Sequence, residues 1–187
     1  MTHFIESDRL FFKGVEVTDV TQKYVDWMND PEVSQYMETW QFLHTRANIE
    51  EYVRKHTDNR NEPFFAIMLP NQKIDTTGNL VWDNPTHIGN IKLGPINWIH
   101  RYADVSLFIG EKKLRGNGFG TEAIKMLTEY AFKRLNLHKL RAGIYAMNQP
   151  SVHAFKKAGF QLEGELRDHV WFNGEWRYVY LMGKVNE

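Results

Sequence analysis

The sequence predicts an α/β domain built on a mixed sheet, and three observations carry that prediction. Short segments with strand patterning are interleaved with segments of helical period along the whole chain. Some neighbouring strands are separated by an amphipathic helix, which forces a crossover and parallel pairing, and others by a short turn, which gives antiparallel pairing. The chain closes on two extended runs joined by Asn173 and Gly174, a type I′ hairpin signal.

The elements follow in order. RLFFKGVEV (9–17) reads as a strand. TDVTQKYVDWMND follows as a helix with Thr18 as N-cap and Val20, Tyr24, Trp27 and Met28 on one face, ended by Asp30-Pro31. A second helix runs from Thr45 to His56 with Ile49, Tyr52 and Val53 inward. PFFAIML (63–69) is a strand, and the polar stretch 70–85 is a turn-rich connection that admits a short strand at 80–82. HIGNIKLGPI (87–96) alternates Ile88, Ile91 and Leu93 and bends at Gly94-Pro95, and DVSLFIG (104–110) is the next strand. A helix from Gly120 to Leu135 buries Ile124, Leu127, Ala131 and Leu135. KLRAGIYA (139–146) is a strand. Pro150 in the first turn and Gly159 at the C-terminal cap then bracket a short helix before the closing hairpin.

The 187 residues suit one domain, 1–187, with a substantial core. Hydrophobic residues make up 42% and charged ones 25%, an ordinary globular mixture. Lys+Arg and Asp+Glu are 23 each, so the formal charge is zero and neither nucleic acid nor a membrane surface is the expected partner. The chain has no cysteine, which excludes disulfides, a cysteine nucleophile and thiolate metal sites. Its eight histidines show no H-x-H or H-E-x-x-H spacing, so no metal site is expected. The N-terminus lacks the regions of a signal peptide and no apolar run reaches membrane-span length, which makes the cytoplasm the expected compartment.

LRGNGFGTEAIKML (114–127) carries the chemistry. Gly116, Gly118 and Gly120 crowd the point where a helix begins. A helix N-terminus has unpaired N–H groups and partial positive charge, and glycines let a bulky anion approach them. Arg115 adds a guanidinium able to bond a phosphate oxygen. The segment reads as a pyrophosphate-binding turn. It lacks the GK[ST] ending of a P-loop, and its glycine spacing is not that of a Rossmann fingerprint.

The spacing Arg115-x-x-Gly118-x-Gly120 resembles the coenzyme A loop of the GNAT N-acetyltransferases. NQPSVHAFKKAGF (148–160) looks like that family's later strand-Asn-helix element, and EGELRDHVWFNGEWRYVYLMG (163–183) like the closing hairpin of its RimJ/RimL-like branch. The resemblance covers nearly the whole chain. It implies a GNAT fold, with a central mixed, mostly antiparallel sheet whose splayed strands are flanked by helices. It implies an acetyl-CoA-dependent N-acetyltransferase, and often a homodimer. By the same resemblance, backbone groups at Phe108 and Ile109 bond pantetheine. The N–H groups of Arg115, Gly116, Asn117, Gly118, Phe119, Gly120 and Thr121 meet the pyrophosphate, and Asn148, Ser151 and Phe155 border the pantetheine arm. The acceptor amine, mostly protonated near a lysine pKa of roughly 10, must lose a proton before attacking the thioester. A backbone N–H of the Phe108–Ile109 region serves the oxyanion. The thiolate, with a pKa of about 8.5 if it is like cysteine, makes a modest demand for an acid.

Asp104 and His100 are the candidate general bases; their alternative roles are a strand-end ion pair and a surface histidine. Many family members carry an acidic tyrosine seven residues after the motif asparagine, where this chain has Phe155, so Ser151 is the substitute acid and Tyr145 a weaker candidate. Glu111 reads as an alternative base or a solvated carboxylate past the strand end, and the charged run Glu163, Glu165, Arg167 and Asp168 as a solvated edge or acceptor lining. W-x-N-D-P-E-V-x-x-Y, here Trp27 to Tyr36, resembles a segment of GNAT proteins of surface-sugar pathways. Tyr36, Trp40 and Trp171 then either stack on a sugar or nucleotide or pack the fold. Three functions remain open at this stage: acetylation of a small-molecule amine such as a nucleotide-linked amino sugar, acetylation of a protein N-terminus, and non-catalytic acyl-CoA binding.

Overall fold

A computed structural model describes residues 5–74, 76 and 80–187. In chain order the elements are β1 (Phe11–Gly14), α1 (Gln22–Asn29), α2 (Pro31–Ser34), α3 (Arg46–His56), β2 (Phe64–Leu69), β3 (Gln72–Ile74), β4 (Leu80–Trp82), β5 (Thr86–Leu93), β6 (Tyr102–Ile109), α4 (Phe119–Glu129), β7 (Lys139–Tyr145), α5 (Gln149–Lys157), β8 (Gln161–Phe172) and β9 (Glu175–Val185). Seven strands form one sheet in the order β1-β2-β5-β6-β7-β9-β8, and β3 and β4 pair separately. Every neighbouring pair in the large sheet is antiparallel except β6–β7.

That exception creates the central feature. β6 and β7 pair only at Tyr102↔Lys139, Ala103↔Leu140 and Asp104↔Arg141, and beyond that point they part. Each strand follows its antiparallel partner instead. β6 stays on β5 as far as Gly89↔Ile109, and β7 stays on β9 as far as Tyr145↔Val179. The mixed, mostly antiparallel sheet with splayed strands is therefore present as expected.

The sheet is packed on both faces. α4 and α5 cover one, with Ile124, Leu127 and Phe155 against Ile88, Ile91 and Leu140. The helices α1–α3 cover the other, with Tyr24, Trp27, Ile49 and Val53 against Phe11, Ala66 and Met68. Trp27 lies so close to the end of β6 that a Cβ at Gly110 would fall 2.1 Å from its ring, so glycine alone fits there.

Local details depart from the sequence reading where caps compete. A single 3-10 turn occupies Val17–Asp19, and α1 starts later, with Thr21 rather than Thr18 accepting from the Tyr24 N–H. Asp30 closes α1 but also caps α2 by accepting from the Glu32 N–H, so Asp30-Pro31 both ends and begins a helix. The expected helix to Leu135 leaves α geometry after Glu129 and widens into a π-turn over Tyr130–Arg134, leaving Leu135 half-buried. Tyr52, expected inward on α3, is 42% exposed. The short strand expected at 80–82 forms, with a partner, β3, in what the sequence reads as turn.

Candidate cofactor and acceptor site

The glycine loop sits at the far end of β6. The Arg115 N–H donates to the Lys112 carbonyl at 3.1 Å, and the first bond of α4 runs from the Glu122 N–H to the Gly118 carbonyl at 3.0 Å. Between them, the backbone N–H groups of Gly116, Asn117, Gly118, Phe119, Gly120 and Thr121 make no hydrogen bond among the described residues. Gly116 and Gly118 adopt φ of +79° and +84°, a conformation that costs a residue with a Cβ about 1–2 kcal/mol. No atom lies within 4 Å of where a Cβ on Gly116 would stand. The loop is thus an open row of donors at the positive end of a helix dipole, the arrangement that a pyrophosphate fits.

The Arg115 side chain does something other than expected. Its Nε and one Nη donate to the Ile109 carbonyl at 2.9 and 2.8 Å, and the other Nη donates to the Glu32 carbonyl at 2.8 Å. It ties the loop to β6 and α2 and does not project toward a phosphate. Those bonds also occupy both lone pairs of the Ile109 carbonyl, which removes that oxygen from the groups available to pantetheine. Likewise the Arg115 N–H is already spent within the loop. Arg9, which the sequence reading passed over, braces the loop from the other side. Its guanidinium bonds Glu122 and the Asn117 carbonyl and lies 4.7 Å from the centroid of the Phe119 ring.

Where β6 and β7 part, a cavity of about 520 Å3 opens. β6 lines it from Val105 to Phe108, β7 through Gly143, Ile144 and Tyr145, and α5 through Ser151 and Phe155, with Asn148 at the helix start. Asn148 caps α5 by accepting from the Ser151 N–H at 3.3 Å, and the Ser151 hydroxyl has no partner among the described residues. Phe155 is 2% exposed and packs edge-on against Phe160. Burial, and then the nearby Glu38, hold the Tyr145 hydroxyl above its ordinary pKa.

Both candidate bases lie elsewhere. Asp104 is at the last paired position of β6 and β7, and its carboxylate is held by Arg141 at 2.9 and 3.1 Å; it does not line the cavity. The Arg141 guanidinium itself stacks 4.0 Å over the Tyr102 ring. His100 is exposed on the turn before β6 and stacks on Tyr102 outside the cavity.

Residues 9–161 match the family described as Acetyltransferase (GNAT) domain. The chain belongs to the GNAT acetyltransferase family. It is 36% identical over 136 residues to spermidine N(1)-acetyltransferase of Escherichia coli K12, a match covering 73% of this GNAT chain and 65% of that enzyme's length. The spermidine N(1)-acetyltransferase of Vibrio cholerae is 31% identical over 134 residues, covering 72% and 69%. The crystal structure of spermidine N-acetyltransferase from Vibrio cholerae with CoA and spermine superposes with a TM-score of 0.77 over 96% of each chain, at 26% identity. These relatives support the superfamily; they are spermidine acetyltransferases and do not mark out the RimJ/RimL-like branch in particular.

In this GNAT chain the remaining cavity wall comes mainly from α1, α3 and the α2–α3 connection. Tyr36 lines the cavity, stacks on Phe172 and meets Tyr145 edge-on, while Trp40 packs on Phe172. Trp171 lies apart, on Trp176 of the exposed hairpin. Lys92 reaches the cavity wall but bonds Glu62 at 2.9 Å, and Glu62 also bonds His56 at 3.2 Å. Glu38 lines the cavity with no ion-pair partner among the described residues. Glu111 and Glu163 are taken up by Lys23 and Lys139.

Proposed function

We propose that this chain is an acetyl-CoA-dependent N-acetyltransferase whose acceptor is a primary amine on a small molecule. The observation that carries this reading is the open row of N–H groups from Gly116 to Thr121, set at the end of a strand that parts from its neighbour beside a cavity. The loop donors hold the pyrophosphate. Backbone groups at Phe108, the Ile109 N–H, and Asn148, Ser151 and Phe155 hold the pantetheine arm. Acetyl-CoA, when bound, supplies an acetyl group activated as a thioester. The chain's own groups then orient the reactants and move protons. A backbone N–H at Phe108–Ile109 donates to the acyl oxygen. Glu38, on the cavity rim, is the carboxylate available for the amine's proton by way of water. The Ser151 hydroxyl, or that of Tyr145 on the same cavity lining, is available to the thiolate. Asp104 acts by joining β6 to β7.

For the acceptor we favour an amino sugar. A linear polyamine carries several ammonium groups, which call for several carboxylates, whereas Glu38 is the one carboxylate among the described lining residues. Tyr36 and Tyr52 supply aromatic faces suited to a sugar ring. The names of the relatives favour a second acceptor, spermidine.

The test is release of CoA from acetyl-CoA, followed with a thiol reagent against amino sugars, spermidine and peptides with free N-termini. The chain has no cysteine, so it adds no background signal. Turnover with one amine class is expected, greatest with amino sugars. Failure to bind acetyl-CoA would refute the loop assignment, and tight binding with no turnover would mark an acyl-CoA-binding module instead.

A further inference from the structure

Beneath the cavity lies a short hydrogen-bonded chain that the acetyl-transfer scheme does not use. His87 Nε2 lies 3.0 Å from the Gly89 carbonyl and 2.8 Å from Asn90 Oδ1, and Asn90 Nδ2 lies 3.3 Å from the Tyr24 hydroxyl oxygen. A carbonyl oxygen can only accept, so His87 Nε2 must carry a hydrogen. The Asn90 atom facing that N–H is therefore its oxygen. Its NH2 group then faces Tyr24 and donates to it. The direction of every bond is fixed from the Gly89 carbonyl outward, and the hydroxyl of Tyr24 is left as a donor with its own proton free.

That proton has no acceptor among the described residues. Tyr24 is 3% exposed and Asn90 1%, yet both line the cavity. The Tyr24 ring is held between Trp27, His87 and Phe108, with centroids 6.2, 5.8 and 6.1 Å away. It stands on the α1–α3 face of β6, the acceptor side, beside the strand residue assigned to the thioester. A buried donor left without an acceptor is costly, so the site is complete once a bound oxygen lies against Tyr24. Burial, with Tyr52 adding to it, pushes the hydroxyl's pKa well above the ordinary value and keeps it a donor.

We infer that Tyr24 is a specificity-determining residue that donates a hydrogen bond to an oxygen of the acceptor, and that the acceptor is an oxygen-bearing amine rather than a polyamine. The inference rests on the acetyl-transfer reading and deepens it. A linear polyamine has no oxygen; the lone pair of its attacking nitrogen is directed at the thioester and its other nitrogens are protonated, so it offers Tyr24 no acceptor atom. A hydroxylated or carbonyl-bearing amine does, and a site built to bond a substrate oxygen discriminates strongly against analogues that lack it.

Three amines test this: glucosamine, cyclohexylamine (a ring without oxygens) and spermidine, each assayed by CoA release with the wild type and with Tyr24→Phe. The wild type is expected to prefer glucosamine. Tyr24→Phe is expected to raise the KM for glucosamine roughly 3- to 10-fold, the loss of one hydrogen bond, with kcat little changed and no effect on the other two amines. A structural role for the hydroxyl would shift all three alike, so the difference between acceptors is the diagnostic readout, and a drop in melting temperature alone does not imitate it. Equal effects on all three, no effect on glucosamine, or a wild type that prefers spermidine would overturn the inference while leaving acetyl transfer standing. Acetyl-CoA binding with no turnover of any amine would refute acetyl transfer itself and this inference with it.

Discussion

Replacing Asp104 by asparagine separates two roles that predict very different numbers. In the structure the carboxylate is bidentate with Arg141 and both side chains are about two-fifths exposed, at 43% and 42%. Solvent screens such a pair, so its contribution is about 0.2–1 kcal/mol, and its two-pronged geometry places it toward the upper end. Asp104→Asn should therefore lower the melting temperature by roughly 2–4 °C in a chain of this size. Arg141→Gln should give a similar loss, and the double variant should lose less than the sum because the two residues share one interaction. Because the carboxylate lies outside the cavity, kcat/KM should change by well under tenfold, that is by less than about 1.4 kcal/mol in the barrier. A general base removed from the reaction costs about 10²–10⁴-fold. The assays are thermal melting of the three variants and the pH profile of CoA release with the best acceptor. A hundredfold fall in kcat, with the melting temperature intact and the acidic limb of the profile lost, would show that Asp104 is the base and that the geometric reasoning is wrong.

Gly118→Val puts a β-branched side chain at φ +84° and over the loop donors. It should destabilise the fold by about 1–2 kcal/mol and weaken acetyl-CoA binding more than tenfold by calorimetry, whereas unchanged affinity would remove the loop from the cofactor site. His87 is held below its ordinary pKa, chiefly by burial. The unfolded chain therefore takes up this proton first as the pH falls, so the stability is complete above about pH 6.5 and is lost below it, by at most about 1.4 kcal/mol per pH unit. Asp30 and Glu62, held low chiefly by hydrogen bonds from Lys112 and Lys92, lose their contribution in a separate window below their unfolded values of 3.8 and 4.5. Urea midpoints at pH 7.5 and 5.5 should differ in the wild type and converge in His87→Gln; equal differences in both would exclude His87. Phe155→Tyr restores the tyrosine common in the family, and because a thiolate of pKa about 8.5 leaves with little help, kcat should stay nearly constant. A rise of roughly 100-fold would show that an acid is limiting.

The closing hairpin at Asn173-Gly174, the helix start at Thr45 and the glycine-rich start of α4 were all legible in the sequence, because each depends on neighbours within a few residues. The parting of β6 from β7 followed only by resemblance. The spread of acceptor-side contacts was not legible, because a residue such as Tyr24 meets its hydrogen-bond partner 66 positions away. Arg9 is a sharper case. Nothing near it in sequence marks it, and it reaches the loop across 108 positions because the segment leading into β1 lies beside the start of α4.

What the sequence by itself determined is the order of the main elements, the α/β class and a loop whose glycines expose backbone donors. These follow from local propensity and from the alternation of apolar residues, which act over one turn or one pleat. What the tertiary structure decided is where charge and hydrogen-bond direction point. Arg115 turned back onto the Ile109 carbonyl, Asp104 was paired by the register of β7, His100 was left on an outer turn, and the Gly89 carbonyl fixed the polarity of the chain that ends at Tyr24. Titratable and polar side chains take their roles from whichever partner lies within about 3 Å, and for these residues that partner is set by strand register and packing between segments far apart in the chain.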